Sequence, residues 1–157
     1  MKAGILAGFA FVVMAGSALA ADIEPADIVW NDGAIEASLT GVSGDVEAGR
    51  KLYSDRSTAN CVACHSITIM SDVQFHGDVG PSLDGAGDRW SEAELRGIVA
   101  DAKQMFPETV MVSFYKTEGF IRPGERFTGS APKEALKTLL SAQQIEDMVA
   151  FLMTLKD

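Results

Sequence analysis

Cysteine is scarce in this chain: its 157 residues include two, Cys61 and Cys64, three positions apart. A disulfide-stapled scaffold is excluded, because a bridge across so small a loop would restrict the unfolded chain little. Basic residues are in deficit, with 13 Lys and Arg against 22 Asp and Glu and a net charge of −9. No basic stripe appears, which argues against a nucleic-acid binder. Beyond residue 20 no apolar run is long enough to cross a bilayer. Internal repeats, low-complexity tracts and runs of alternating strand pattern are all missing, and the remaining periodicity is helical. The expected fold class is therefore mostly α.

The chain opens "MKAGILAGFAFVVMAGSALAADIEP". Lys2 is a positive n-region, Ile5 to Met14 an apolar h-region, and Ala18-Leu19-Ala20 a small-x-small cleavage site. Residues 1–20 are expected to be a signal peptide that is cleaved, so that the mature protein starts at Ala21; an uncleaved anchor is the alternative. Lys2 is the only charge in that leader, so the remaining 137 residues carry 12 basic and 22 acidic groups. A chain of this size suits one domain with a real core. Export implies an oxidising compartment, and the expected location is the bacterial periplasm.

Both cysteines and one of the two histidines fall inside "ANCVACHSI", residues 59–67. A thioredoxin-type redox pair would sit at a helix start in a strand-helix context, and it leaves His65 unexplained. A structural zinc site needs four ligands, which this stretch does not supply. The spacing C-x-x-C-H accounts for all three residues. Cys61 and Cys64 form thioethers to one haem c, and His65 lies beneath the iron as an axial ligand.

The second axial position has several candidates. Met70 is too near His65 to wrap around the macrocycle, and Met148 and Met153 belong to the last helix, where packing explains them. Met105 and Met111 sit in or beside a loop that follows a helix. Met111, in "ETVMVSFYK", is preferred as the iron ligand; Met105, His76 or an open site are the alternatives. His76 follows His65 by only 11 positions and reads as a surface or supporting residue. Proximal histidines usually donate their second ring N–H to a carbonyl, and Pro81, in the rigid "GPSL" turn, offers one. Arg89 and Trp90 are candidate contacts to a haem propionate, by guanidinium and indole N–H respectively. A solvent arginine and a core tryptophan are the plainer readings.

Residues 21–43 read as an N-terminal extension over the domain, anchored by Ile28, Val29 and Trp30; residues 44–157 form the domain itself. "GDVEAGRKLYSDR", 44–56, is expected to be a helix with Gly49 at a close helix crossing near Phe151 or Leu152. Two further helices begin with capping boxes, Ser91/Glu94 and Ser141/Gln144. Their core stripes are Leu95, Ile98, Val99 and Ala102, and Ile145, Met148, Val149, Leu152 and Leu155. Between them, Tyr115 to Leu140 looks like an insertion with a short helix near Lys133 to Leu140.

"CVACH", "GPSLDGAGDRW", the methionine loop and an amphipathic C-terminal helix together resemble a class I cytochrome c. More narrowly, "FHGDVGPSLDGAGDRW", "MVSFY" and "LSAQQIEDMVAFLMTLK" resemble the SoxX family, monohaem cytochrome subunits of the Sox sulfur-oxidation system. The resemblance spans nearly the whole mature chain, with Val112 where the pattern leads one to expect proline. It implies a periplasmic heterodimer with the haem subunit SoxA, acting as an L-cysteine S-thiosulfotransferase. That complex couples thiosulfate oxidatively to a cysteine of the carrier SoxYZ and passes electrons to a downstream acceptor cytochrome. The resemblance places the sulfur chemistry on SoxA, so no catalytic residue is expected here. His/Met ligation raises the reduction potential relative to bis-His ligation and suits electron transfer. A free-standing electron shuttle and a haem sensor or gas binder are the competing readings.

Overall fold

Asp45 starts the first helix. Its carboxylate accepts from the backbone N–H groups of Glu47 and Ala48 at 2.8 and 3.0 Å, satisfying donors that a helix start leaves unpaired. The helix, α1, runs Val46–Ser54. The computed structural model describes residues 21–125 and 127–157, so the expected signal peptide lies outside the described residues. A single helical turn, α2, covers Ala86–Arg89, and α3 covers Glu92–Asp101. The last helix, α4, spans Ala142–Leu152. Both predicted capping boxes are formed in full, by Ser91 with Glu94 and by Ser141 with Gln144. Among the described residues there is no strand beyond one isolated bridge between Asn31 and Ala34. No described helix is long and apolar enough to cross a membrane.

The core forms where α1 and α3 pack against α4. Ile145, Met148, Val149, Leu152 and Leu155 are all buried along one side of the C-terminal segment. Leu95, Val99 and Ala102 are buried from α3 and the turn after it, while Ile98 is half-buried on the wall of a cavity described below. Gly49 sits at the crossing of α1 with α4. A Cβ there would stand 2.0 Å from the carbonyl oxygen of Asp147 and 2.7 Å from Phe151 Cβ. Only a residue without a side chain permits that approach.

Residues 21–43 are bound into the core, by different residues from those expected. Val29 is 82% exposed and anchors nothing, while Ile28 and Trp30 are only partly buried. The deep contacts come from Ile35 and Leu39, both essentially inaccessible. Their backbones meet a buried ion pair: Arg96 Nη1 donates to Ile35 O at 2.9 Å, and Leu39 N donates to Glu146 Oε1 at 2.7 Å. Arg96 Nε and Nη2 reach the Glu146 carboxylate at 2.9 and 3.1 Å. Burial works against the Arg96 charge, but its bonds to Glu146 and Glu92 outweigh that penalty and raise its pKa.

The helix expected near Lys133 to Leu140 does not form. Its would-be apolar face is incomplete: Leu136 is half-buried, Leu139 is exposed and only Leu140 is buried. The amides of Leu139 and Leu140 both donate to Phe114 O, at 2.9 and 3.0 Å, closing the insertion onto its own root.

Candidate cofactor crevice

Residues 61–65 wind into one tight turn. Asn60 enters it in the left-handed region at φ 51°, Cys61–Ala63 form a 3-10 turn, and the amides of Cys64 and His65 both donate to Cys61 O, at 3.1 and 3.0 Å. Cys61 and Cys64 are not paired in a disulfide, and with His65 they line a cavity of about 900 Å³. That volume lies within the roughly 300–1,000 Å³ of small-molecule and cofactor sites. The rest of the wall is mainly apolar, including Leu83, Leu95, Val99, Phe114 and Leu152. Burial pushes the Cys61 thiol up to about 11, with the neighbouring Cys64 adding to the effect and a backbone hydrogen bond opposing it.

The imidazole of His65 is held from behind. Its Nδ1 lies 2.8 Å from Pro81 O, so that nitrogen carries the proton and Nε2 keeps its lone pair for a metal. The loop supplying Pro81 is tied to the C-x-x-C-H turn at three points. Gly77 N, Gly80 N and Leu83 N donate to Val62 O, Cys64 O and Ser66 O at 2.8, 2.8 and 2.9 Å. Gly80 also packs flat against the ring: a Cβ there would fall 2.3 Å from His65 Cε1. Asp84 accepts from Thr68 N at 2.8 Å, from Thr68 Oγ1 at 2.6 Å and from Ser82 Oγ at 2.8 Å. The Thr68 bonds, chiefly, hold the Asp84 pKa below the usual carboxylate range. On the other side of His65, the Tyr53 hydroxyl donates to His65 O at 2.7 Å. Burial, aided by the charge of Asp84, raises that phenol to about 12, so it stays a donor at neutral pH.

Arg89 and Trp90 both line the crevice. Arg89 already donates from Nη1 to Asp84 O and from Nη2 to Ser82 O, the latter at 3.1 Å, which stiffens the Pro81 loop. Trp90 packs edge-on against Phe106, with centroids 5.9 Å apart.

The methionines separate clearly. Met111 lines the crevice from a loop, half-buried, and Met148 lines it from α4. Met70 is buried in the core and Met153 packs against it. Met105 braces the N-terminal segment, its Cβ and backbone crowding Gly33. His76 is not among the crevice residues. Its Nδ1 accepts from Ile67 N at 3.2 Å, its ring stands edge-on to Tyr53, and its buried Nε2 has no partner.

Sequence reasoning misses Tyr53, Thr68, Gly80 and Asp84 as site residues. "GPSLDG" signals a turn, but nothing local to it shows that its carboxylate reaches back to Thr68, 16 residues away.

The donor set fits a haem. It comprises two thiols and an imidazole on one turn, a free Nε2, an apolar crevice of sufficient volume and a thioether sulfur in a loop on the wall. Among the described residues no group of three His, Cys, Asp or Glu side chains is arranged to hold a bare metal ion.

The family model for cytochrome c matches residues 46–156. A chain of the crystal structure of SoxXA from P. pantotrophus is 53% identical; the match covers 87% of this chain and 100% of that one, with a TM-score of 0.82. The methylamine utilization protein MauG of Methylophilus methylotrophus is 29% identical over 132 residues, 73% of this chain. The match covers only 37% of that longer relative.

Proposed function

The chain belongs to the cytochrome c family, has the class I cytochrome c fold and carries covalently bound haem c for electron transfer; from that premise we propose that it is the SoxX-type electron outlet of a periplasmic thiosulfate-oxidising complex. The observation that carries this reading is the 53% identity extending over the whole of a SoxXA chain. Its partner is then a SoxA-type haem subunit, and together they act as an L-cysteine S-thiosulfotransferase on a SoxYZ-type carrier.

The residues divide the work. Cys61 and Cys64 would hold the haem through thioethers, and His65 Nε2 and Met111 Sδ would ligate its iron. Haem supplies reversible one-electron transfer. The chain's own residues keep that coordination fixed while charge moves. Pro81 O orients His65, Tyr53 restrains the His65 backbone, and Asp84 with Arg89 stiffens the loop that presents Pro81. The apolar wall excludes water. Arg89, with guanidinium N–H groups to spare after its two carbonyl bonds, and the Trp90 indole N–H are assigned to the propionates.

This assignment leaves the chain without a sulfur nucleophile, because both thiols are consumed in attachment. Thiosulfate coupling removes two electrons, whereas one haem holds one. The isolated protein is therefore expected to be reversibly reduced and oxidised but to conjugate no thiosulfate. Adding the partner subunit, the carrier and an electron acceptor should start turnover. Conjugation by this chain alone, at a rate comparable to the complex, would overturn the assignment. Purification from native cells without a second haem protein would favour the free-standing shuttle.

A further inference from the structure

We propose that Asp101 is the positioning residue of the distal ligand loop: its buried carboxylate clamps residues 111–116 to the end of α3 and so keeps Met111 turned into the crevice. This inference rests on Met111 being the axial ligand.

The loop has little means of holding itself. Val110 and Val112, on either side of Met111, are 79% and 51% exposed. No proline lies between Pro107 and Pro123 to limit its backbone freedom. Its first well-buried residues are Phe114 and Tyr115. The restraint comes from polar ties: Met111 N donates to Thr109 Oγ1 at 3.2 Å, Phe114 O accepts from Leu139 and Leu140, the Tyr115 hydroxyl donates to Ile23 O at 2.9 Å, and two side chains of the loop, Ser113 and Lys116, converge on one carboxylate. Asp101, the last residue of α3, is only 3% exposed. Its Oδ1 accepts from Ser113 Oγ at 2.5 Å and Lys103 N at 3.3 Å; its Oδ2 accepts from Gln104 Nε2 at 3.2 Å and Lys116 Nζ at 3.3 Å. One carboxylate thus grips the loop two residues and five residues past Met111. Lys103, held in the turn that Asp101 caps, reaches Met111 O with its Nζ at 2.6 Å. Tyr115 N adds a bond to Ala100 O at 2.9 Å.

A buried carboxylate is costly unless it is fully paired. Burial alone would raise its pKa, yet the bonds from Ser113, Gln104 and Lys116 outweigh burial and lower it. The core does not need a charge at this position, since Ala100 and Ala102 beside it are simply buried. What the charge adds is a fixed direction for the loop, with Met111 on the crevice side and Ser113 on the α3 side.

The test uses the full holoprotein with Asp101→Asn, Ser113→Ala and Lys103→Gln, and Met111→Ala as the reference for a lost ligand. Three quantities are read. They are the weak red band of methionine-ligated ferric haem, the apparent affinity of the ferric protein for imidazole, and global melting by far-ultraviolet circular dichroism. Loosening the loop raises the fraction of molecules whose sixth site is open, and apparent imidazole affinity rises in proportion. Asp101→Asn should bind imidazole about tenfold tighter, which is about 1.4 kcal/mol of lost restraint. It should also lose the methionine band well below its global melting temperature. Ser113→Ala and Lys103→Gln should each tighten imidazole binding about threefold, a partial release on the same scale. They decide the matter if Asp101→Asn fails to take up haem. Unchanged imidazole affinity with a merely lowered melting temperature would overturn the proposal and leave Asp101 an ordinary structural residue. A wild-type protein indistinguishable from Met111→Ala would instead overturn the ligand assignment beneath it.

Discussion

Replacing Gly49 by alanine should destabilise the protein, although alanine is the better helix former by about 1 kcal/mol. The reason is the identity of the atoms the new methyl would meet. A Cβ at Gly49 would stand 2.0 Å from the Asp147 carbonyl oxygen and 2.7 Å from the Asp147 carbonyl carbon. These are backbone atoms inside α4, so no side chain can swing aside and the two helices must separate. Overpacking of this kind costs typically about 1–3 kcal/mol, occasionally more. A backbone-to-backbone clash belongs at the upper end. Subtracting the propensity gain leaves a net loss of about 2 kcal/mol. For a chain of this size each kcal/mol moves Tm by roughly 3–5 °C, so a fall of about 6–10 °C is expected. Valine, which adds two methyls to the same crossing, should cost more. The measurement is thermal unfolding of the holoprotein followed by circular dichroism. A Tm equal to or above that of wild type for Gly49→Ala would mean that α1 and α4 are not in backbone contact at this position, and the crossing as described would be wrong.

The attachment chemistry predicts a native mass of residues 21–157 plus one haem, with neither Cys61 nor Cys64 open to alkylation after purification. Labelling of either thiol would contradict it. Glu146→Ala should cost about 3–5 kcal/mol in urea unfolding, because it leaves the buried Arg96 with only the exposed Glu92 as ion partner and strips the acceptor from Leu39 N; a loss below about 1 kcal/mol would show the pair to be dispensable. Acid should weaken both loops of the crevice. Asp84 and Asp101 have lowered pKa values in the folded protein, so their contribution is complete above the ordinary carboxylate range and is lost as pH falls through the folded values. Stability should hold between about pH 7 and 5 and decline below about 4, and a decline already complete at pH 5 would refute that origin.

What is legible in this sequence is what neighbouring residues decide among themselves. Ser91 with Glu94 and Ser141 with Gln144 announce two helix starts because a capping box is closed within four residues. Gly49 is conspicuous because glycine weakens a helix unless something needs the space. The C-x-x-C-H turn is local for the same reason. The ties that shape the crevice are different. Arg96 and Glu146 are 50 positions apart, and each looks like an ordinary solvent-facing charge on its own helix. Asp101 reads as a helix-end residue until Ser113 and Lys116 fold back onto it. Ile35 and Leu39 lie in a stretch without periodicity, because an extended segment draped over a core buries residues at irregular intervals. Val29 misleads for the converse reason: it is apolar, flanked by anchors, and points outward. The segment from Lys133 to Leu140 has helical composition, but its last amides are claimed by Phe114 O, and closure of the insertion prevails over weak local propensity.

The placement of charge follows from the demands on an electron-transfer site. The crevice wall has to be apolar to exclude water, and an apolar wall gives its loops little directional restraint. Dispersion contacts fill space without fixing which residue of a loop faces inward. The chain resolves this by setting polar nodes behind the loops. Asp84 and Arg89 hold the segment that presents Pro81 to His65. Asp101 and Lys103 hold the segment that presents Met111. Glu146 and Arg96 fasten residues 35–39 across α3 and α4, the helices that carry Leu95, Val99 and Met148 on the crevice wall. The two buried carboxylates, Asp101 and Glu146, each accept several hydrogen bonds, which is the condition for a buried polar group to rigidify a fold. Removing one partner should therefore loosen one wall of the crevice at a time. In the variants proposed above, Glu146→Ala should lower stability while leaving the methionine band intact at low temperature, and Asp101→Asn should lose the band at temperatures where the fold is still intact. If both variants lost band and stability together, the three nodes would form a single cooperative unit, and the division into separately held loops would have to be abandoned.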